Sequence, residues 1–253
     1  MPRRARQKSE SGIYHIIMRG INRQSIFEDE EDYEKFMHTI KQYKEKCQYN
    51  IYAYCLMGNH VHLLLKVNTE PLEQVMRRIC GSYVYWYNWK YKRIGNLFQD
   101  RFKSEPVEND RYLLTVQRYI HQNPLKAGLV KHIDKYRWSS YREYLNKPEV
   151  VDTDLLLGMF DDQPEKAVKN FIKFTNEANN DACLEIEDNR QIADEEAREI
   201  IKSVCQITNA QDLQTVEKSI RNSCLKELKE VHRLSIRQIE RLTGINRGVI
   251  FKA

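Results

Sequence analysis

The 253-residue sequence holds no C-x-x-C pair: its six cysteines, Cys47, Cys55, Cys80, Cys183, Cys205 and Cys224, stand far apart. That scatter argues against a cysteine zinc site and against a disulfide framework, so the thiols read as reduced and structural. No apolar run approaches the roughly 20 residues that span a bilayer, and no hydrophobic segment follows the basic start MPRRARQKSESG. The expectation is a soluble, cytoplasmic protein with no membrane partner. No G-x-x-x-x-G-K-[ST] loop is present, so chemistry that depends on a P-loop nucleotide is not expected.

What the chain does carry is charge, unevenly spread. Residues 1–150 have 26 Lys and Arg against 17 Asp and Glu, a surplus of nine positive charges. Residues 151–222 have 8 against 16, and residues 223–253 have 7 against 3. A basic body and a basic tail on either side of an acidic middle suggest two surfaces for a polyanion. The length allows one substantial core and a second, smaller unit. These shifts divide the chain at 1–150, 151–222 and 223–253.

Within the first part, GIYHIIMRGINRQSIF reads as a strand over Ile13–Arg19, a turn at Gly20–Asn22 and an apolar return to Phe27. The next segment opens with acids and repeats apolar residues at Tyr33, Phe36, Ile40 and Tyr43, a helix by period and charge order. Two strands follow, Ile51–Leu56 and His60–Val67, and then a long helix dense in aromatics. Tyr83 and Tyr87 share a face with Cys80 and Val84, which core packing explains. The interleaved Arg77, Arg78, Lys90, Lys92 and Arg93 keep base stacking open as well. GNLFQDRFKSEPVE alternates well enough for a strand pair, and a helix over about Asp110–Asn123 should end at Pro124. This order predicts an α+β fold, a ferredoxin-like antiparallel sheet with helices on one face.

Beyond residue 150 the strand signals stop. Acidic helices, with NEANNDACLEIED as a linker, lead to an all-α C-terminal region. In the tail, Ser235 can cap a helix to Leu242, Gly244 supplies a turn and Asn246 can cap a second helix begun by Arg247. That pair has the form of a DNA-binding helix-turn-helix.

The chemistry lies in AYCLMGNHVHLLLKV. Alternate residues of a strand share a face about 7 Å apart, so His60 and His62 can converge on one ion or can be core imidazoles satisfied by hydrogen bonds. No third strong ligand stands at short spacing, against a zinc hydrolase, and Leu64 stands where a histidine-triad hydrolase needs its next histidine. His121, next but one to Tyr119, points elsewhere on its helix. In RYIHQNPLKAGLV, Tyr119 and Asn123 are four apart and share a helical face, so a phenol and an amide oxygen can approach a site together.

Taken in order, YHIIMRGINRQSIF, AYCLMGNHVHLLL, GNLFQDRFKS, RYIHQNPLKAGLV and WSSYREYL resemble the single-tyrosine HUH (IS200-like) transposases, most closely their REP-associated tyrosine branch, over roughly residues 12–145. The resemblance implies that His60 and His62 bind a divalent metal, Mg2+ or Mn2+, with Asn123 completing the site. It also implies that Tyr119 attacks single-stranded or hairpin DNA, leaving a 5′-phosphotyrosine link. The loop with Arg19, Asn22 and Arg23 falls where relatives read the foot of the hairpin, and Arg247 is the DNA-binding candidate of the tail. Relatives work with the tyrosine in the same subunit or exchanged across a dimer, so monomer and homodimer both stay open. The alternative from another class is a DNA-binding regulator that keeps the fold and does not cut.

Overall fold

A computed structural model describes residues 6–185, 194–232 and 234–253. The last three residues of the expected linker, 186–188, lie outside them. The chain divides into two compact units, residues 1–186 and 187–253.

The first unit begins with β1 (Ile13–Arg19), followed by α1 (Glu30–Cys47). Asp29 caps α1 by accepting from the Asp32 amide, the Asp32 side chain accepts from the Asp29 amide in return, and three acids occupy the first turn. Phe36 and Ile40 bury the helix face against the sheet, each worth roughly 1.5–3 kcal/mol. Next come β2 (Asn50–Met57) and β3 (His60–Lys66), a hairpin turned on Gly58 and Asn59. The tip is held from outside: Gly20 donates to the Asn59 carbonyl at 2.9 Å and Ile26 to that of Gly58 at 2.9 Å. A Cβ on Gly20 would collide with the Gln24 carbonyl oxygen, so this close turn requires glycine.

The helix α2 (Leu72–Lys90) buries Leu72, Val75, Met76, Ile79, Tyr83 and Tyr87, a helical stripe that accounts for both tyrosines as core. Tyr85 and Trp89 on the same helix are exposed. The short β4 (Lys103–Pro106) then closes an antiparallel sheet of order β2-β3-β1-β4. Where a strand pair was expected there is one strand, plus a single bridge from Phe98 to Gly20.

The expectation of helices on one face needs correcting. Six consecutive β1 residues, Ile13–Met18, are buried, which requires both faces of the sheet to be covered. Met18 packs on Cys80 of α2, whereas its neighbours in the alternating pattern, His15 and Ile17, face the other way. That second face is covered by α3 (Asp110–Lys126), which sets Tyr119 against His15 and His62. Nor does α3 stop at Pro124. A proline this near the helix end removes one hydrogen bond, and the Ala127 amide still reaches the Asn123 carbonyl at 2.9 Å before Gly128, at φ +70°, turns the chain away.

Residues 151–185 belong to this core and not to a separate acidic region: Val151, Leu156 and Phe171 are packed in it. They form α4 (Asp154–Gly158) and α5 (Pro164–Asn176). The expected linker likewise begins as packed chain, with Asp181 paired to Arg118 at 2.7 Å.

The second unit comprises α6 (Asp194–Cys205), α7 (Lys218–Glu230), α8 (Ile236–Thr243) and α9 (Arg247–Lys252) around Ile201, Leu213, Leu225, Leu228, Ile239, Leu242 and Ile250. Its core therefore crosses the expected boundary at 222. Ser235 caps α8 through the Gln238 amide, Gly244 ends it at φ +74°, and Asn246 caps α9 through the Gly248 amide. No helix among the described residues is long and apolar enough to cross a membrane.

Candidate active site

The pairing register of β3 decides what its histidines meet. His60 lies opposite Arg19 and His62 opposite Ile17, on the sheet face that α3 covers. The two imidazole centroids are 5.1 Å apart. Each ring has one nitrogen committed: His60 Nδ1 is 2.7 Å from Asn59 Oδ1, and His62 Nδ1 is 3.1 Å from His15 Nε2. Burial pushes His60 down to about 4, helped by the Arg19 charge, and pushes His62 well below the ordinary imidazole value, helped by His15. Both are therefore neutral at pH 7.

A pair of neutral imidazoles whose Nδ1 atoms are already bonded presents the two Nε2 atoms as metal donors, and this donor set fits a divalent ion. Among the described residues no group of three or more His, Cys, Asp and Glu completes a metal cluster, so further ligands would be amide, water or phosphate oxygens.

Tyr119 stands over this pair, its ring centroid 5.7 Å from that of His62 and 5.9 Å from that of His15. It is 5% exposed. Its hydroxyl donates to Glu185 Oε1 at 2.9 Å. Burial raises the phenol pKa first, and the adjacent Glu185 carboxylate raises it further, whereas Asn123 lowers it. Asn123 also donates Nδ2 to the Tyr119 carbonyl at 3.0 Å, so its amide is oriented along the last turns of α3. Lys126 Nζ lies 5.3 Å from the Tyr119 ring centroid, a cation beside the nucleophile candidate.

The His60, His62 and Tyr119 rings thus lie in succession on one face, with Asn123 bonded beside Tyr119 and Arg19 paired opposite His60. Asn22 and Arg23 occupy a tight turn with φ of 50° and 60°, and Asn59 Nδ2 reaches the Arg23 carbonyl at 3.4 Å. The turn and the His60 partner are therefore one connected structure. Arg247 belongs to the second unit, where it pairs with Glu240. His121 is a core residue, bonded to Gln117 and to Ser140 Oγ at 2.7 Å each.

Four neighbours of the site went unrecognised in the sequence: His15, Asn59, Glu105 and Glu185. His15 is an imidazole inside an apolar strand, and that was a signal. Glu185 gave none, since its approach depends on how residues 177–185 fold back: Arg118 holds Asp181 through two bonds of 2.7 and 3.0 Å, and the Leu184 amide donates to Glu105 Oε1 at 2.9 Å.

Residues 8–123 match the family model for IS200-like transposases. Through this stretch the chain is similar to the IS200-like transposases, enzymes that cleave and transfer DNA strands. Within that class, the chain is 25% identical over 132 residues to a Haemophilus influenzae protein that bears the name REP-associated tyrosine transposase, covering 47% of this chain and 74% of the relative. Among solved structures, a REP-associated tyrosine transposase bound to a REP hairpin superposes with a TM-score of 0.52 at 20% identity, covering 58% of this chain and 87% of that one. A transposase assignment from Deinococcus radiodurans gives a TM-score of 0.35 at 17% identity, covering 48% of this chain and 97% of that one, too distant to argue from.

Proposed function

We propose that this protein is a metal-dependent transposase that cleaves and rejoins hairpin-associated single-stranded DNA through Tyr119. The observation that carries the reading is the meeting of two neutral imidazoles with a phenol, the His62 and Tyr119 rings 5.7 Å apart, on a face edged by Arg19. The REP hairpin in the similar structure supports hairpin DNA as the substrate of this chain. The sheet order β2-β3-β1-β4 in a βαββαβ chain supports a ferredoxin-like fold for the catalytic unit.

His60 and His62 would hold the ion through Nε2, with the Asn123 amide oxygen as the third protein ligand, and Mn2+ suits this donor set better than Mg2+. When bound, the ion polarises the scissile phosphate and stabilises the charge that develops there. Tyr119 Oη gives up its proton and attacks phosphorus, an Oη–P bond forms, and the P–O3′ bond breaks. The leaving 3′ oxygen takes a proton and becomes a hydroxyl. Because the phosphodiester energy is kept in the 5′-phosphotyrosine link, attack by a 3′-hydroxyl reverses the step without a nucleotide. Arg19 and Arg23 suit phosphate or guanine contacts at the mouth of the site. In the second unit, α8 and α9 have the caps and turn of a helix-turn-helix, with Arg247 at the start of the second helix, and would add duplex affinity.

The test is incubation of the full chain with end-labelled hairpin DNA and Mn2+. The wild type should give a covalent adduct that survives denaturing electrophoresis. Tyr119→Phe should give none while retaining hairpin binding. DNA binding with no adduct from the wild type would favour a non-cleaving regulator.

A further inference from the structure

Behind the candidate metal site stand two side chains of β1 and β4, His15 and Glu105, that the sequence did not disclose. His15 on β1 pairs in register with Glu105 on β4, and on its other side lies diagonal to His62 on β3. Its two ring nitrogens are both engaged: Nδ1 is 2.9 Å from Glu105 Oε1 and Nε2 is 3.1 Å from His62 Nδ1. The His15 and His62 rings are stacked, centroids 5.4 Å apart and planes 21° apart. His15 is wholly buried and its bond to His62 is shielded from solvent, whereas the Glu105 side chain is 24% exposed.

The proton positions follow from donor and acceptor rules. A carboxylate only accepts, so His15 Nδ1 carries the proton that faces Glu105. The Leu184 amide donates to the same oxygen and helps hold it in place. A neutral His15 protonated at Nδ1 presents a bare Nε2. The 3.1 Å contact then requires the proton of His62 to sit on Nδ1, which leaves the His62 Nε2 lone pair for a ligand. The opposite tautomer of His62 would turn an N–H toward the ion and leave two bare nitrogens facing each other inside the protein.

We infer that His15 and Glu105 are positioning residues for the divalent-cation site, fixing His62 in the tautomer whose Nε2 can bind metal. This rests on the reading of His60 and His62 as metal ligands, and adds two residues to it that never touch the ion. Partners of this kind change metal affinity by about 10- to 100-fold when removed. His15→Phe keeps the ring stack and deletes the acceptor. Glu105→Gln keeps size, but its amide can donate as well as accept, so it releases the direction of the relay.

Two measurements on the full chain separate this inference from the reading beneath it. The first is long-range 15N–1H correlation of the imidazoles in metal-free wild type. His62 should be Nδ1-protonated, and should become a mixture of tautomers in His15→Phe. The second is Mn2+ titration by electron paramagnetic resonance, without DNA. Wild type should bind, and His15→Phe should bind about 10- to 100-fold more weakly, with Glu105→Gln weakened in the same direction. Hairpin affinity in chelator should stay unchanged in both variants, as a check of folding. Mn2+ binding by wild type with His62 protonated on Nε2, or with unchanged affinity in folded His15→Phe, overturns the relay and leaves the metal site standing. Failure of wild type to bind Mn2+ overturns both.

Discussion

The Tyr119 hydroxyl donates a 2.9 Å hydrogen bond to Glu185 Oε1, across 66 positions of sequence. A negative carboxylate against a phenol penalises the phenolate, so part of the upward pKa shift of Tyr119 belongs to Glu185 and part to burial. Glu185→Gln should lower the phenol pKa on the order of one unit and leave the burial contribution in place. Ultraviolet tyrosinate titration, differenced against the same variant carrying Tyr119→Phe, isolates this group from the other tyrosines. An unchanged pKa would assign the whole shift to burial.

Asn123 is placed to be either a ligand or a helix-end brace, since its Nδ2 already donates to the Tyr119 carbonyl. If Oδ1 binds the ion, Asn123→Ala should raise the Mn2+ concentration for half-maximal cleavage, and high Mn2+ should restore part of the activity. A brace alone predicts a stability loss of about 1 kcal/mol with an unchanged metal requirement.

The second unit has its own core, from Ala197 to Ile250, so deleting only 223–253 would break it through Leu225, Leu228 and Ile239. Deletion of residues 194–253 removes it whole. This should weaken hairpin-stem binding and flatten its salt dependence, while cleavage at saturating DNA persists. Arg247→Ala in the full chain should give a smaller loss in the same direction. Lost cleavage with unchanged affinity would place the second unit in the catalytic machinery.

His121 is buried and neutral between Gln117 and Ser140, with its pKa lowered by burial to about 3. The unfolded chain takes up this proton below about 6.5, so between roughly pH 6.5 and 3 the unfolded state binds more protons. Its stabilising contribution is full above that window and shrinks as pH falls through it, by up to about 1.4 kcal/mol per pH unit. Denaturant melts at pH 7 and pH 5 should show the wild type losing more stability than His121→Gln, which has no proton to gain. Equal losses would mean that His121 is not held neutral.

Local patterns made much of the site legible. The two-residue period of β3 put His60 and His62 on one face, and the spacing in α3 put Tyr119 with Asn123. Caps were equally readable at Ser235, Gly244 and Asn246. What could not be read was register and return. His15 and Glu105 meet because β1 pairs with β4, and neither strand announces its partner. Glu185 reaches Tyr119 because residues 177–185 fold back on α3, where composition suggested a linker. Pro124 misled by its usual rule, since three residues from a helix end the lost bond is tolerated.

The most direct measurement is the site of covalent attachment. After reaction with hairpin DNA and Mn2+, nuclease trimming and tryptic digestion, mass spectrometry should find a nucleotide phosphate on the peptide Tyr119–Lys126, linked to its single tyrosine. The same mass on the peptide Tyr112–Arg118, or no modified peptide from a sample that binds and cleaves the hairpin, would contradict Tyr119 as the nucleophile.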